Sequence, residues 1–376
     1  MLSKVSTFDD WVDLFKEWQK GIGVDIPEIL QYKHEALYGE LKNPEIEFGE
    51  YKGARKWRRI LEVPDQRIRD ALMNLIVYQG DTEFASVEQQ RYLLETAPSH
   101  EDLKSLARVM VEEMRHGWQM CHILINHFGR SGKIEAQKQL ERRAFENKRL
   151  LTTFNDPVRH WLDLYAYQDF VDRDGKFQLV MLSYSSFAPL ASSMFPMLKE
   201  EAYHLSTGHE GLKRVLRAGK VPLRIVQKYL NKWLSSSFDL FGVDHSTSAH
   251  WFYVWGLKGR FDEPNAGDID RDHINEHNRI LYRNEAERLI AQLNRFIPKD
   301  AEPLYVPDLR FNRRIGAFAG HHFTVKGEPI TEEAFKKHCW DVLPNEHDEA
   351  ELSAIFKESN DWVEQKGAPK AAQGPE

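Results

Sequence analysis

The sequence predicts an all-α protein: a four-helix bundle with extra helices and a small C-terminal hairpin. Three observations predict it. Apolar residues recur at helical spacing through most of the first 220 positions. Two of the helical runs each carry a Glu-x-x-His on their apolar face. Each of these runs follows, at nearly the same distance, a carboxylate in an earlier helical stretch.

Residues 1–60 read as an N-terminal arm with short helices, 61–220 as the bundle, and 221–350 as further helices with a β-hairpin packed on it. Within the bundle, VPDQRIRDALMNLIVYQGDTEFASVEQQRYLLETAP (63–98) reads as one long helix between Pro64 and Pro98. Ser99 suits the N-cap of the next, with Glu101 and Asp102 in a first turn where carboxylates favour the helix dipole. That helix is expected to stop near Phe128, at the Gly-rich GRSGK. A third run is expected over 157–173, capped by Asp156 with Pro157 at its first position, and ended by a break at DRDGK. A fourth covers about 177–216, where Pro189 and Pro196 should kink it. PLRIVQKYLNKWLSSSFDLFG and DIDRDHINEHNRILYRNEAERLIAQLNRFI supply later helices. Lys326-Gly327 marks the hairpin, and 364–376 (EQKGAPKAAQGPE) reads as a disordered tail.

Composition removes several functions. A net charge of −7 argues against a nucleic-acid partner. No apolar run reaches membrane-spanning length, and MLSKVSTFDDWVDLFKEW lacks the apolar segment of a secretory signal. Two cysteines, Cys121 and Cys339, cannot form a disulfide framework or a thiolate metal cluster. The expectation is a cytoplasmic protein, monomeric or homodimeric.

The chemistry lies in the repeated motif. Glu-x-x-His pairs arise by chance in a chain with 16 histidines, so context must decide. Leu106, Val109, Met110, Glu113, His116, Gly117 and Met120 form one helical stripe, as do Met194, Met197, Leu198, Glu201, His204, Leu205 and Gly208. Both pairs therefore point inward. A buried carboxylate is costly unless paired or bound to metal. A bundle that holds two irons needs a Glu-x-x-His from each of two helices and one carboxylate from each of the other two. Glu83 stands thirty residues before Glu113, and Asp172 twenty-nine before Glu201. Glu83 competes with Glu88 and Asp81, and Asp172 with Asp169 and Asp174; spacing and face favour Glu83 and Asp172. The bundle is therefore read as ferritin-like. Six carboxylate and imidazole ligands suit two iron ions and leave positions open for O2.

At these residues the chain resembles the oxygenase components of benzoyl-CoA 2,3-epoxidase, di-iron proteins related to the catalytic subunit of phenylacetyl-CoA epoxidase. QGDTEFASVEQQR, TAPS, VEEMRH, HFGRSG, DRDGKFQL, EEAYHL, KYLN, GLKGRF, FNRRIG and LPNEHD occur in that family's order, from about residue 47 to 348. The resemblance implies Glu83, Glu113, His116, Asp172, Glu201 and His204 as ligands of a di-iron centre. It also implies O2 as co-substrate and NADPH electrons through a separate flavin and iron–sulfur reductase. The expected reaction is epoxidation of the ring of an aryl-CoA thioester, with benzoyl-CoA first and phenylacetyl-CoA or another aromatic as alternatives. An iron-binding bundle without oxygenase activity is the alternative from another class. The chain departs from the family in being shorter and in the side chains of SYSSFAPLASSMFPMLKEEAYHL. Gln79, one turn from Glu83, and Tyr165, two turns before Asp172, are candidates to face the metals. Lys258 and Arg260 are candidates for the CoA phosphates.

Overall fold

A computed structural model describes residues 4–265, 270, 273–358 and 360–366. In chain order the helices are α1 (Phe8–Gly21), α2 (Pro27–Leu30), α3 (Gln66–Gln90), α4 (His100–His127), α5 (Gly129–Glu141) and α6 (Trp161–Ser183). They continue as α7 (Ala188–Ala218), α8 (Leu223–Leu240), α9 (Thr247–Val254), α10 (Ile274–Leu293), α11 (Glu332–Val342) and α12 (Glu346–Glu358). The bundle is α3, α4, α6 and α7: α3 packs on α4, α6 on α7, and α4 on α7. Among the described residues no helix is long and apolar enough to cross a membrane.

Local chemistry sets the bundle helices. Asp65 caps α3 by accepting from the Arg67 N–H, and Ser99 caps α4 by accepting from the Asp102 N–H. Asp102 then does a second task. Its carboxylate receives Arg214 of α7 at 2.7 and 2.9 Å, so a first-turn residue of α4 also ties α7 into the core. Two glycines let the helices close on the site. A Cβ on Gly117 would lie 2.6 Å from the Phe84 ring of α3, and one on Gly208 would lie 2.4 Å from the Asp169 backbone nitrogen of α6.

Several local expectations give way to tertiary structure. The helix expected to begin at Pro157 begins at Trp161, with the His160 ring accepting from the Asp163 N–H. The Asp156 segment stays extended because its carbonyl takes the Gln89 side chain of α3, at 2.5 Å. DRDGK is no break: α6 runs through Gly175 to Ser183. A lone glycine costs a helix only about 1 kcal/mol, and Arg173 and Gln178 hold neighbouring turns by bonding Asp169 and Asp174. The fourth helix therefore starts at Ala188, which puts Pro189 in its first turn, where proline is tolerated. Pro196 does lie inside α7; the Ser192 carbonyl it leaves unbonded accepts the Gly39 N–H of the N-terminal arm at 2.8 Å. GRSGK ends α4 as expected but opens α5 at once, an element the sequence reading lacked.

The rest encloses the bundle. Trp11, Phe15 and Trp18 of α1 pack around Phe84 and Trp118, and Trp18 donates to Glu88 at 2.9 Å. Helix α8 packs along α6, and Tyr282 of α10 donates to the Phe170 carbonyl. The hairpin at Lys326-Gly327 is reduced to a tight turn with one antiparallel bridge, Phe323 to Pro329. The tail expected at 364–376 lies, from residue 367 onward, outside the described residues.

Candidate metal centre

Four helices deliver six buried polar side chains to one place: Glu83 from α3, Glu113 and His116 from α4, Asp172 from α6, and Glu201 and His204 from α7. Ligand atoms of Glu83, Glu113 and His116 lie within 4.8 Å of one another, and so do those of Glu113, Asp172 and His204. Glu113 belongs to both groups. Glu201 spans both as well, with one oxygen 3.7 Å from His116 Nδ1 and the other 3.6 Å from His204 Nδ1.

The two imidazoles are held alike. Nδ1 of His116 faces Glu83 and Nδ1 of His204 faces Glu113, each at 3.3 Å. Each Nε2 points away and donates to the outer glutamate of the opposite helix: His116 to Glu200 of α7 at 2.8 Å, His204 to Glu112 of α4 at 3.0 Å. Arginines hold those glutamates in turn, Arg115 at Glu200 and Arg108 at Glu112, both at 2.8 Å. An imidazole anchored at Nε2 presents Nδ1 to the centre in a fixed orientation, as a metal ligand requires.

The competing carboxylates are occupied elsewhere. Asp81 and Glu88 bind Arg149, while Asp169 binds Arg173 and His209. Asp174 accepts from Gln178.

The electrostatics call for added positive charge. Burial pushes the Glu113 carboxyl up to about 8, and neighbouring Glu83 and Glu201 push the same way. Burial, then Glu113 and Glu201, drive Asp172 well above the carboxylate range. Burial also disfavours the imidazolium of His116, yet Glu200 and Glu83 hold it up at about 10. Protons thus balance charge that a cation could balance. Asp172 Oδ2, Glu201 Oε2 and His204 Nδ1 are buried without a hydrogen-bond partner. Unpaired buried polar atoms are rare, and three in one cluster fit direct bonds to metal. Four carboxylates and two imidazoles are a donor set suited to a pair of iron ions.

A cavity of about 250 Å³ opens on this centre. Glu83, Glu113, Asp172 and Glu201 line it, and the two histidines do not, so the carboxylates form its floor. Gln79 lines it too and donates to Glu83 at 2.5 Å. Tyr165 is a correction. It lies off the cavity, with its hydroxyl 3.4 Å from Asp102 and its ring against Gly211. Helix α6 is buried on almost every face, so its apolar pattern does not single out the side that meets the metals. Tyr167 holds the place expected for Tyr165, on the cavity wall with its hydroxyl bonded to Gln89. Lys258 lines the cavity, half-buried, with Nζ donating to Gln178 at 2.5 Å. Arg260 is buried away from it and pairs with Asp262 at 3.2 Å.

Glu112 and Glu200 escaped the sequence reading. Their signal was present: both motifs are Glu-Glu-x-x-His, with the first glutamate doubled in each.

Residues 61–259 match the family described as phenylacetic acid catabolic protein. The chain belongs to this family. The matched span contains all six clustered side chains and Lys258. Benzoyl-CoA oxygenase component B of Aromatoleum evansii is 38% identical to this chain, over 83% of this chain and 75% of the relative. Membership of the phenylacetic acid catabolic family accords with a buried carboxylate–histidine centre that opens on an organic-sized cavity.

Proposed function

We propose that this chain is the oxygenase component of an aryl-CoA oxygenase, with benzoyl-CoA as its first candidate substrate. The observation that carries this reading is the pair of cross-braced Glu-Glu-x-x-His segments whose carboxylates floor a cavity. The relative's name supports the substrate class and marks that protein as one component among several. Glu83, Glu113, His116, Asp172, Glu201 and His204 would hold two iron ions. Bound there, the ions would supply the redox chemistry that activates O2, with electrons from a separate NADPH-dependent flavin and iron–sulfur reductase.

The chain's own side chains prepare that chemistry. Glu112 and Glu200 fix the imidazoles from behind. Gln79 holds the Glu83 carboxylate at the cavity edge. Phe154, Tyr167, Val171 and Phe252 wall the space above and keep bulk water from an aromatic ring lying there.

The test uses iron-loaded protein, chemically reduced and exposed to O2 with benzoyl-CoA. Mass spectrometry should find a thioester heavier by one oxygen atom, absent with Glu113→Ala. Iron at two per chain with no oxygenated thioester would remove the substrate assignment and leave the metal centre.

A further inference from the structure

The cavity carries two donors that the carboxylate–histidine centre does not use. Lys258 Nζ lines it, and its one hydrogen bond, to Gln178, occupies one of an ammonium's three N–H groups. Asn278 lines it as well; its Oδ1 accepts the Phe261 N–H at 2.9 Å, while its Nδ2 is buried with no partner. A buried amide that leaves its donor unbonded is costly. Both residues line the same cavity. The cavity lining also includes the apolar side chains of Val171, Met181 and Phe252.

We infer that Lys258 and Asn278 form an acceptor site for the acyl carbonyl oxygen of the substrate, which sets how far the aromatic ring reaches toward the carboxylate floor. This rests on the aryl-thioester reading and adds the group that positions the substrate. The spacing is suitable. Gln178, which holds Lys258, lies six residues past Asp172 along α6, about 9 Å by helical rise. That length accommodates an aromatic ring joined to one carbonyl. Lys258, on the cavity wall, is thereby assigned to the acyl group and not to the CoA phosphates. An ammonium at a cavity wall, partly withdrawn from water, also binds a carbonyl more strongly than one in bulk water.

The experiment measures equilibrium binding to the iron-loaded protein without reductant or O2, so that no turnover occurs. Benzoyl-CoA is compared with S-benzyl-CoA, which replaces the carbonyl by a methylene. Wild type should prefer benzoyl-CoA by about tenfold or more. Lys258→Met and Asn278→Asp should erase most of that preference while still binding S-benzyl-CoA. Asn278→Asp keeps an acceptor for the Phe261 N–H and replaces the N–H donor by a carboxylate oxygen. Equal binding of the two compounds by wild type, or a preference kept by both variants, overturns the inference. If neither variant folds, the carbonyl stretch of isotope-labelled benzoyl-CoA bound to wild type decides. A stretch below its value in water supports the site, and one at or above it overturns the site. Wild type that binds neither compound removes the aryl-thioester reading itself, and the site with it.

Discussion

The α3–α4 half and the α6–α7 half of the bundle carry the same pattern but differ in how complete each is by itself. Both supply an upstream carboxylate, a doubled glutamate and a histidine. Both place a glutamine four residues before the upstream carboxylate, Gln79 before Glu83 and Gln168 before Asp172. In the first half that glutamine bonds its carboxylate, and Glu83 also meets His116. Against the cost of burial, the His116 contact leaves Glu83 below its ordinary value. In the second half both polar atoms of Gln168 are unpartnered, Asp172 has an orphaned oxygen, and burial drives its carboxyl well above the ordinary range. The arginines are uneven too: both come from α4, and position 203, the counterpart of Arg115, is Tyr203. One half meets its upstream carboxylate with protein contacts, and the other leaves polar atoms that a cation would satisfy. The first half is therefore a preformed template and the second a responsive partner.

The comparison can be broken in four ways. Glu113→Ala removes the carboxylate common to both ligand groups. It should lower iron from two per chain to less than one and cut oxygenation at least about a hundredfold, measured by metal analysis and product yield. Retention of one full iron would show that the halves bind independently.

The second test is pH dependence of the chelated protein. His116 is raised from 6.5 to about 10 in the folded state, against burial, by Glu200 and Glu83. A raised histidine contributes stability that is complete below 6.5 and lost as pH climbs toward 10. The chelated protein should therefore lose more than about 2 kcal/mol across that range, while the iron-loaded form, with His116 neutral as a ligand, should not. Thermal melts of both forms check this; parallel pH profiles would contradict it.

Third, Glu83→Gln and Asp172→Asn should act oppositely on chelated protein. The first leaves His116 without its carboxylate and should cost about 1–2 kcal/mol. The second replaces an orphaned carboxyl and should be neutral or stabilising. Equal losses in denaturant melts would erase the distinction between the halves. The smallest effect concerns the arginines. Arg115 is nearly buried and Arg108 half exposed, so Arg108→Met should cost under about 1 kcal/mol. Arg115→Met, which leaves half-buried Glu200 with less support, should cost more and loosen iron binding.

The sequence made the cluster legible because a Glu-x-x-His spacing puts both groups on one helical face, and two matched intervals then pointed to Glu83 and Asp172. The crossed bonds of Glu112 and Glu200 were hidden, since they depend on α4 lying against α7, a fact of packing. The start of α6 was misread because Asp156-Pro157 is a good local helix signal that Gln89 overrides from another helix. Tyr165 was misplaced because a helix buried all round has no single inward face. Lys258 was read as a candidate for the CoA phosphates; the GLKGR segment gives no sign that it lines a cavity wall.

The crossed glutamates have a consequence for how such a protein can change over generations. Glu112 serves the histidine of the other half, and Glu200 returns the service. A substitution at either outer glutamate is therefore felt first by the half that did not mutate. Even if the two Glu-Glu-x-x-His segments began as copies of one ancestor, neither copy is free to decay or specialise alone. They are inherited as a linked pair, and a compensating change for one must be sought in the other.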